Sequence, residues 1–151
     1  MARYTTHITS NAAPGQVLQV LTDPEEIRTW SPISFEVEDL DGIRLEAGSL
    51  ARVSGSLAGR RVGFDVRVRA ADERGLELTA EGPISLDVLY ELEAIEGGSE
   101  MTASVGLRDG AGLTGRLLAK ATGALLKGGA LNAAASRIAR AAEVAPCAIA
   151  A

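Results

Sequence analysis

The feature that most constrains the fold is a stretch near the C-terminus, residues 112–143, in which no proline occurs and apolar residues recur every three or four positions. That spacing is typical of one face of an α-helix. The predicted inward face consists of Leu113, Leu117, Ala121, Ala124, Leu125, Gly128, Leu131, Ala135, Ile138 and Ala142. One helix of this length would be roughly 45 Å long, enough to cross a small domain. Because it contains Gly115, Gly123, Gly128 and Gly129, each of which costs ~1 kcal/mol relative to alanine, it must be stabilised by packing.

The N-terminal part of the chain predicts a strand followed by two short helices. Residues 4–10 are rich in threonine, which favours a strand. Asp23 and Pro24 are typical of the cap and the first position of a helix. Pro32 prevents that helix from continuing much beyond Trp30.

From Ile33 to Leu107 the period changes to two, and apolar residues alternate with polar ones in about six segments separated by glycine-containing turns. Such strands have one face for water and one face for a single partner layer. The sequence therefore predicts an α+β fold, in which a curved antiparallel sheet of six to seven strands wraps around the long C-terminal helix. We expect one domain over residues 1–151, with a flexible tail at 144–151.

Small side chains on both the predicted helix and the predicted sheet indicate an internal apolar cavity between them, open at one end. The alternative, in which leucine and valine fill the gap and the core is solid, stays open at this point. The cavity hypothesis predicts ligand contacts from Trp30, Phe35, Val53, Phe64, Val66, Leu78, Val88, Tyr90, Ala103, Val105, Leu117, Ala121, Ala124, Leu125 and Gly128.

Composition narrows the function classes. The 20 acidic residues exceed the 15 basic ones, giving a net charge of −5, which disfavours nucleic-acid binding. The single cysteine excludes an intrachain disulfide, and no signal peptide or long uncharged apolar run is found, so we predict a cytoplasmic protein without stable membrane insertion. Neither metal-ligand spacing nor a nucleotide-binding motif occurs, and no cofactor is predicted.

Three residues are candidates for catalysis. Tyr90 lies on the apolar face of its strand, where a buried phenol needs a partner from a ligand or from the backbone. Asp39 continues the apolar face of Val37 and is the best inward acid. His7, the sole histidine, lies opposite Ile8 by alternation and is expected to face solvent or the sheet edge.

The segment NAAPGQVLQVLTDPEEIRTWSP, residues 11–32, resembles the START/Bet v 1-like (SRPBCC) superfamily of polyketide cyclase/dehydrase and lipid-transport proteins. The likeness extends over residues 4–143 and implies the helix-grip fold. It implies no single activity, since the superfamily includes aromatase/cyclases, hydrolases, lipid carriers and hormone receptors. Cyclases of the superfamily are expected to place arginine, histidine or acidic side chains in the cavity, whereas the inward positions predicted here are nearly all aliphatic.

Three functional hypotheses follow. The first is a protein that binds a small hydrophobic ligand, such as a lipid, a polyketide or a quinone-like molecule. The second is a cyclase/dehydratase-type enzyme that uses Tyr90, with Asp39 or His7, and no metal or nucleotide cofactor. The third is a protein-interaction module with a vestigial cavity. The sequence leaves the oligomeric state open, with a homodimer as one candidate.

Overall fold

The computed structural model describes residues 2–30, 35–40, 42–57, 59–108 and 112–144. The predicted C-terminal tail, including Cys147, lies outside this range from residue 145 onward. The elements in chain order are β1 (Ala2–Ser10), α1 (Pro14–Thr22), α2 (Pro24–Trp30), β2 (Phe35–Leu40), β3 (Leu50–Leu57), β4 (Arg60–Asp72), β5 (Gly75–Glu81), β6 (Ser85–Ile95), β7 (Gly98–Arg108), α3 (Gly112–Lys127) and α4 (Ala130–Val144).

The seven strands form one antiparallel sheet in the order β1-β7-β6-β5-β4-β3-β2. Strands β2 to β7 are joined in sequence as hairpins, and β1 pairs with β7 at one edge, so that Tyr4 lies opposite Val105. Register shifts after Val37 in β2 and after Val68 in β4 are irregularities of the kind that bend a strand and increase its twist. This architecture confirms the predicted α+β fold class.

The two faces of the sheet differ as the alternation predicts. Phe64 and Val68 of β4 are buried, whereas Asp65, Arg67 and Arg69 on the same strand are exposed. Arg52 of β3 forms an ion pair with Asp65, with 2.7 Å between nitrogen and oxygen, and such exposed pairs contribute ~1 kcal/mol or less. The sheet face that carries these charged side chains is therefore the one in contact with water, and the helices cover the opposite face.

The C-terminal stretch is two helices, which corrects the prediction of one. Helix α3 ends at Lys127 and α4 begins at Ala130. Between them Gly129 has a φ of 96°, a value that interrupts a right-handed helix and that side-chain-bearing residues rarely adopt. Two consecutive glycines are the weakest point of the periodic stretch, and the chain turns there.

Helix α4 buries the face that the periodicity predicts. Leu131, Ala135, Ile138 and Ala142 are all buried, in one apolar cluster with residues of α1 and β7. The Glu143 carboxylate accepts hydrogen bonds from the backbone N–H of Asn11 (3.0 Å) and from the Ser10 hydroxyl (3.2 Å). These bonds fix the end of α4 to the junction between β1 and α1.

Helix α3, in contrast, buries a different face from the predicted one. Leu118 and Ala119 are buried beside Phe64, whereas Leu113, Leu117 and Leu125 are 75%, 61% and 43% exposed. The sequence contains adjacent leucines at 117–118 and 125–126, so two helical phases fit it equally well. The predicted phase was the one continuous with α4, and the turn at residues 128–129 removes that constraint.

A close contact explains which phase α3 adopts. Gly123 is buried on its inner face, and a Cβ atom at this position would lie 3.0 Å from the Tyr4 hydroxyl oxygen. The lack of a side chain at Gly123 therefore leaves room for the Tyr4 ring against the helix. In the predicted orientation of α3, Gly123 would not face Tyr4 and this space would not be used.

The turn between α3 and α4 provides a test of this account. We expect Gly129→Ala to lower the free energy of unfolding by about 1–2 kcal/mol because of the left-handed φ. A steric clash does not contribute, because no heavy atom lies within 4 Å of the added Cβ. Gly129→Asn should cost less, because asparagine tolerates this region. Urea denaturation of both variants measures the difference, and an equal cost for Ala and Asn would contradict the backbone explanation.

Candidate ligand cavity

An apolar cavity of about 180 Å³ lies between the sheet and the first two helices. Its walls come from α1, α2, the connection before β3, and strands β2 to β6. Nearly all of its lining side chains are aliphatic or aromatic: Leu21, Pro24, Ile27, Trp30, Val37, Leu45, Ala51, Val53, Phe64, Val66, Leu76, Leu78, Ala80, Leu86, Val88 and Tyr90. Arg28 is the one charged side chain among the described lining residues.

The cavity is small for a ligand pocket. Pockets for drug-sized ligands range from ~300 to ~1,000 Å³, whereas an apolar cavity of ~150 Å³ in another protein holds benzene. The volume here therefore matches one aromatic ring or a short alkyl chain. A polar cleft of about 440 Å³ shares Arg28 with the cavity and is also lined by Glu25, Glu36 and Arg61.

Trp30 and Tyr90 form the aromatic corner of the cavity. Their ring centroids are 6.0 Å apart and the rings are inclined by 79°, an edge-to-face contact of the kind that contributes ~0.5–1.5 kcal/mol beyond burial. The indole Nε1–H donates to the carbonyl of Val20 at 3.2 Å. That bond joins the end of α2 to α1. Because the indole N–H is used in this way, Tyr90 is the aromatic residue of this corner whose polar group can still form a hydrogen bond.

Tyr90 is 6% exposed, and its hydroxyl forms no hydrogen bond to any residue that the structure describes. Burial raises the pKa of this phenol above its ordinary value of 10.0, because the surroundings disfavour the phenolate. At neutral pH the group is a neutral hydroxyl that can donate to, or accept from, a bound molecule. It is poorly suited to act as a general base.

Several residues predicted from the sequence meet at this cavity. The structure brings together Trp30, Val53, Phe64, Val66, Leu78, Val88 and Tyr90. The side chain of Phe35 lies outside the described residues. The strand members of the set follow directly from the period-two alternation, which assigns one face of each strand to the core.

The residues predicted as ligand contacts on the C-terminal helices and β7 do not line this cavity. Ala103 and Val105 are buried in the main core cluster and do not line it. Leu117, Ala124 and Leu125 face outward, Ala121 is half-buried, and Gly128 belongs to the turn. Small residues on α4 allow this helix to approach the core closely instead of leaving a void, so the solid-core alternative describes the region beneath α4 and the cavity lies elsewhere.

The other two catalytic candidates do not reach the cavity. Asp39 is exposed, because the register of β2 shifts between Val37 and Asp39 and breaks the alternation on which its inward position depended. His7 is exposed as predicted, with Nδ1 3.0 Å from the Thr102 hydroxyl on the neighbouring strand. Tyr90 is thus the one predicted catalytic residue in the lining.

Part of the lining was not predicted from the sequence. Ile27 precedes Trp30 by three residues, a helical spacing that could have placed both on one face of α2. Leu45 and Arg28 gave no periodic signal, because the first lies in an irregular connection and the second is a charged residue on a helix of only seven residues. Their positions depend on how α2 packs, which is a tertiary property.

The described residues also bear on the cofactor and membrane hypotheses. No group of three or more His, Cys, Asp or Glu side chains is arranged to hold a metal ion there. No helix in the same ranges is long and apolar enough to cross a membrane.

Comparison with known proteins gives one family and a set of related folds. The model of the family described as polyketide cyclase/dehydrase and lipid transport matches residues 1–143. No curated protein sequence matches the chain. Similar solved structures include TTHA0849 from Thermus thermophilus, with 18% identity, coverage of 93% of this chain and 99% of that one, and a TM-score of 0.66.

Two other similar structures broaden this set. Ara h 8.0201 is 19% identical, with 91% and 97% of the two chains covered and a TM-score of 0.59. DynU16, from the dynemicin biosynthetic locus, is 17% identical, with 93% of this chain but 47% of that one covered and a TM-score of 0.61. At these identities the likeness establishes the fold.

The burial of Tyr90 predicts a specific dependence of stability on pH. The folded protein holds the phenolic proton more tightly than the unfolded chain. The contribution of the protonated phenol to the free energy of unfolding is therefore complete below pH ~10, and it declines as the pH rises from there toward the raised pKa. We expect the free energy of unfolding to fall above pH 10 more steeply in the wild type than in Tyr90→Phe, by up to ~1.4 kcal/mol per pH unit. Urea denaturation from pH 9 to pH 11 measures this, and parallel curves would refute it.

Proposed function

The chain belongs to the polyketide cyclase/dehydrase and lipid-transport family, within the START/Bet v 1-like superfamily, and from this premise we propose that it binds a small hydrophobic ligand in the cavity beneath α1 and α2. Members of this superfamily bind hydrophobic ligands or act as polyketide cyclases. The observation that carries the proposal is the lining itself, in which an apolar wall is interrupted by one buried phenol, Tyr90, and one charged side chain, Arg28. Such a wall holds an apolar molecule and orients it through few polar contacts.

The size and chemistry of the cavity narrow the ligand class. A volume of about 180 Å³ favours a ring or a short acyl segment over a complete long-chain lipid. The Tyr90 hydroxyl forms no hydrogen bond to a described residue, so a carbonyl or hydroxyl oxygen on the ligand would supply one. We therefore propose a ligand with an apolar body and at least one oxygen.

Binding is favoured over turnover by the lack of acid and base groups. Among the described lining residues, Tyr90 and Arg28 are the groups that can form polar contacts with free capacity, while Asp39 and His7 are exposed elsewhere. General acid–base catalysis works best when the pKa lies near the working pH, and burial moves the pKa of Tyr90 away from it. The cyclase/dehydratase hypothesis thus retains one of its three residues.

The finer statements stay predictions from the sequence. They are the identity of the ligand as a lipid, a polyketide or a quinone-like molecule, the cytoplasmic location and the homodimer. The protein-interaction hypothesis also stays a prediction, and a demonstrated cavity ligand would remove the vestigial role that it assigns to the cavity.

A cavity-filling variant tests where the ligand binds. Trp30 is the sole tryptophan and lines the cavity, so its fluorescence can follow a titration with an aryl ketone. We expect Ala51→Leu to weaken binding at least tenfold, because the larger side chain occupies ligand volume, while the free energy of unfolding stays the same or rises by up to ~2 kcal/mol. Ala94→Leu, at an exposed position of β6, is the matched control and should leave binding unchanged. Equal affinities for the two variants would place the ligand outside this cavity.

A second variant tests the polar contact. We expect Tyr90→Phe to lower the affinity for the aryl ketone by about threefold to tenfold, the equivalent of one net hydrogen bond of ~0.5–1.5 kcal/mol. The hydrocarbon with the same carbon skeleton should bind both proteins equally, since it cannot use the hydroxyl. An equal loss for the ketone and the hydrocarbon would mean that the substitution perturbs the shape of the cavity and that Tyr90 forms no hydrogen bond to the ligand.

A further inference from the structure

The outer surface of α3 carries an apolar stripe that nothing in the described structure covers. We define the outer leucine stripe as Leu113, Leu117, Ala124 and Leu125, all of them exposed. At 3.6 residues per turn, these four positions fall within about one third of the helix circumference. Large exposed apolar side chains occur singly on ordinary surfaces, but several aligned along one helix indicate an interaction surface.

A row of positive charge runs beside this stripe. Arg116, Lys120 and Lys127 are exposed and fall within a sector of roughly 40° on the helix wheel, next to the leucines. Helix α3 contains no acidic residue, although the whole chain has a net charge of −5. The surface of α3 is therefore opposite in charge to the protein that carries it, and it is complementary to an anionic partner.

The inner face of α3 fixes this orientation. Leu118 and Ala119 pack into the cluster around Phe64, and Gly123 accommodates Tyr4. The outer leucine stripe is consequently presented away from the core, on a convex ridge at the surface of the domain. The α3 residues that anchor the helix are different from those that it exposes.

The shape and size of this surface distinguish between possible partners. A helix of 16 residues is about 24 Å long and about 10 Å wide, so the ridge presents a few hundred Å² at most, well below the ~800 Å² per partner of a stable protein–protein interface. A second copy joined through the same face would also bring two rows of positive charge together. A fluid bilayer needs no complementary groove and no minimum area.

We infer that α3 docks the protein reversibly on an anionic lipid bilayer. The leucines lie at the boundary between headgroups and acyl chains, and the three basic side chains contact the anionic headgroups, the arrangement of interfacial amphipathic helices. Each basic group near such a surface contributes about fivefold to the partition coefficient, and each leucine that leaves water contributes at least tenfold. The outer leucine stripe and the cavity share no residue, so this inference does not rest on the proposed function.

Vesicle co-sedimentation of the full chain tests the inference. We expect binding to vesicles that contain phosphatidylserine, weak binding to pure phosphatidylcholine, and a loss of binding at high salt because the headgroup contacts are screened. Lys120→Glu should reduce the partition coefficient about tenfold or more. Arg140→Glu, which makes the same charge change at an exposed position of α4, is the matched control and should bind nearly as the wild type does.

Three further variants test the apolar contribution. Leu117→Gln should weaken binding at least tenfold, whereas Leu117→Trp should retain it, because tryptophan favours the membrane interface. Ile95→Gln removes an apolar side chain that is 41% exposed on β6 and should have no effect. The sites substituted in both sets of variants are exposed, namely Lys120, Arg140, Leu117 and Ile95, so the thermal unfolding temperature should be nearly unchanged.

Several results would overturn the inference. One is the absence of binding to any vesicle, and another is binding that the α3 variants and their controls reduce equally. A third is a dimer in solution that Leu117→Gln converts to a monomer in the absence of vesicle binding, which would assign the stripe to a second copy of the chain. Capture of an acidic protein by α3 without vesicle binding would assign it to a protein partner.

Discussion

The fold depends on one requirement, that the apolar face of a seven-stranded sheet be covered by helices. Within the described part of the chain, four helices share that face. Helix α4 carries mostly alanine on its inner side and packs closely with α1 and β1, while α3 brings Leu118 and Ala119 to the cluster around Phe64. The cavity lies beneath α1 and the short helix α2, which supply Leu21, Ile27 and Trp30 to its wall. Its position therefore follows from which helix covers each part of the sheet.

The sheet was predictable from the sequence because its signal is local. Period-two alternation fixes which side chains of a strand face the core, and it correctly separated Phe64 and Val66 from Asp65 and Arg67. The same rule failed at Asp39, since a register shift after Val37 exchanges the faces and leaves no trace in the pattern of apolar residues. Alternation therefore predicts a face only up to the next irregularity, and a bulge is visible only in the pairing of two strands.

The helices were less predictable because their phase is not local. Adjacent leucines in α3 fit two orientations, and the preference for one rested on continuity with α4, which the Gly128-Gly129 turn abolishes. The inference from small side chains also failed for a physical reason. Alanine and glycine on a helix permit a closer approach of backbones, which removes space, so they predict a void only if another contact holds the helix away. Here Ser10 and Asn11 hold α4 in place through Glu143.

The cavity has an energetic consequence that links the fold to its function. Side chains that line an unfilled apolar space lose the dispersion contacts they would make in a close-packed core, and the cavity of about 180 Å³ leaves such contacts unmade along its wall. The wall offers water few partners, because Tyr90 and Arg28 are the side chains with polar groups still free to bind it among the described lining residues, whereas a buried water typically forms about three hydrogen bonds. A ligand that fills the space would regain dispersion contacts along the whole wall and would stabilise the folded protein in proportion to its occupancy. If the chain binds a ligand as proposed, occupancy and stability would be coupled, and the Tyr90 hydroxyl would favour molecules that carry an oxygen.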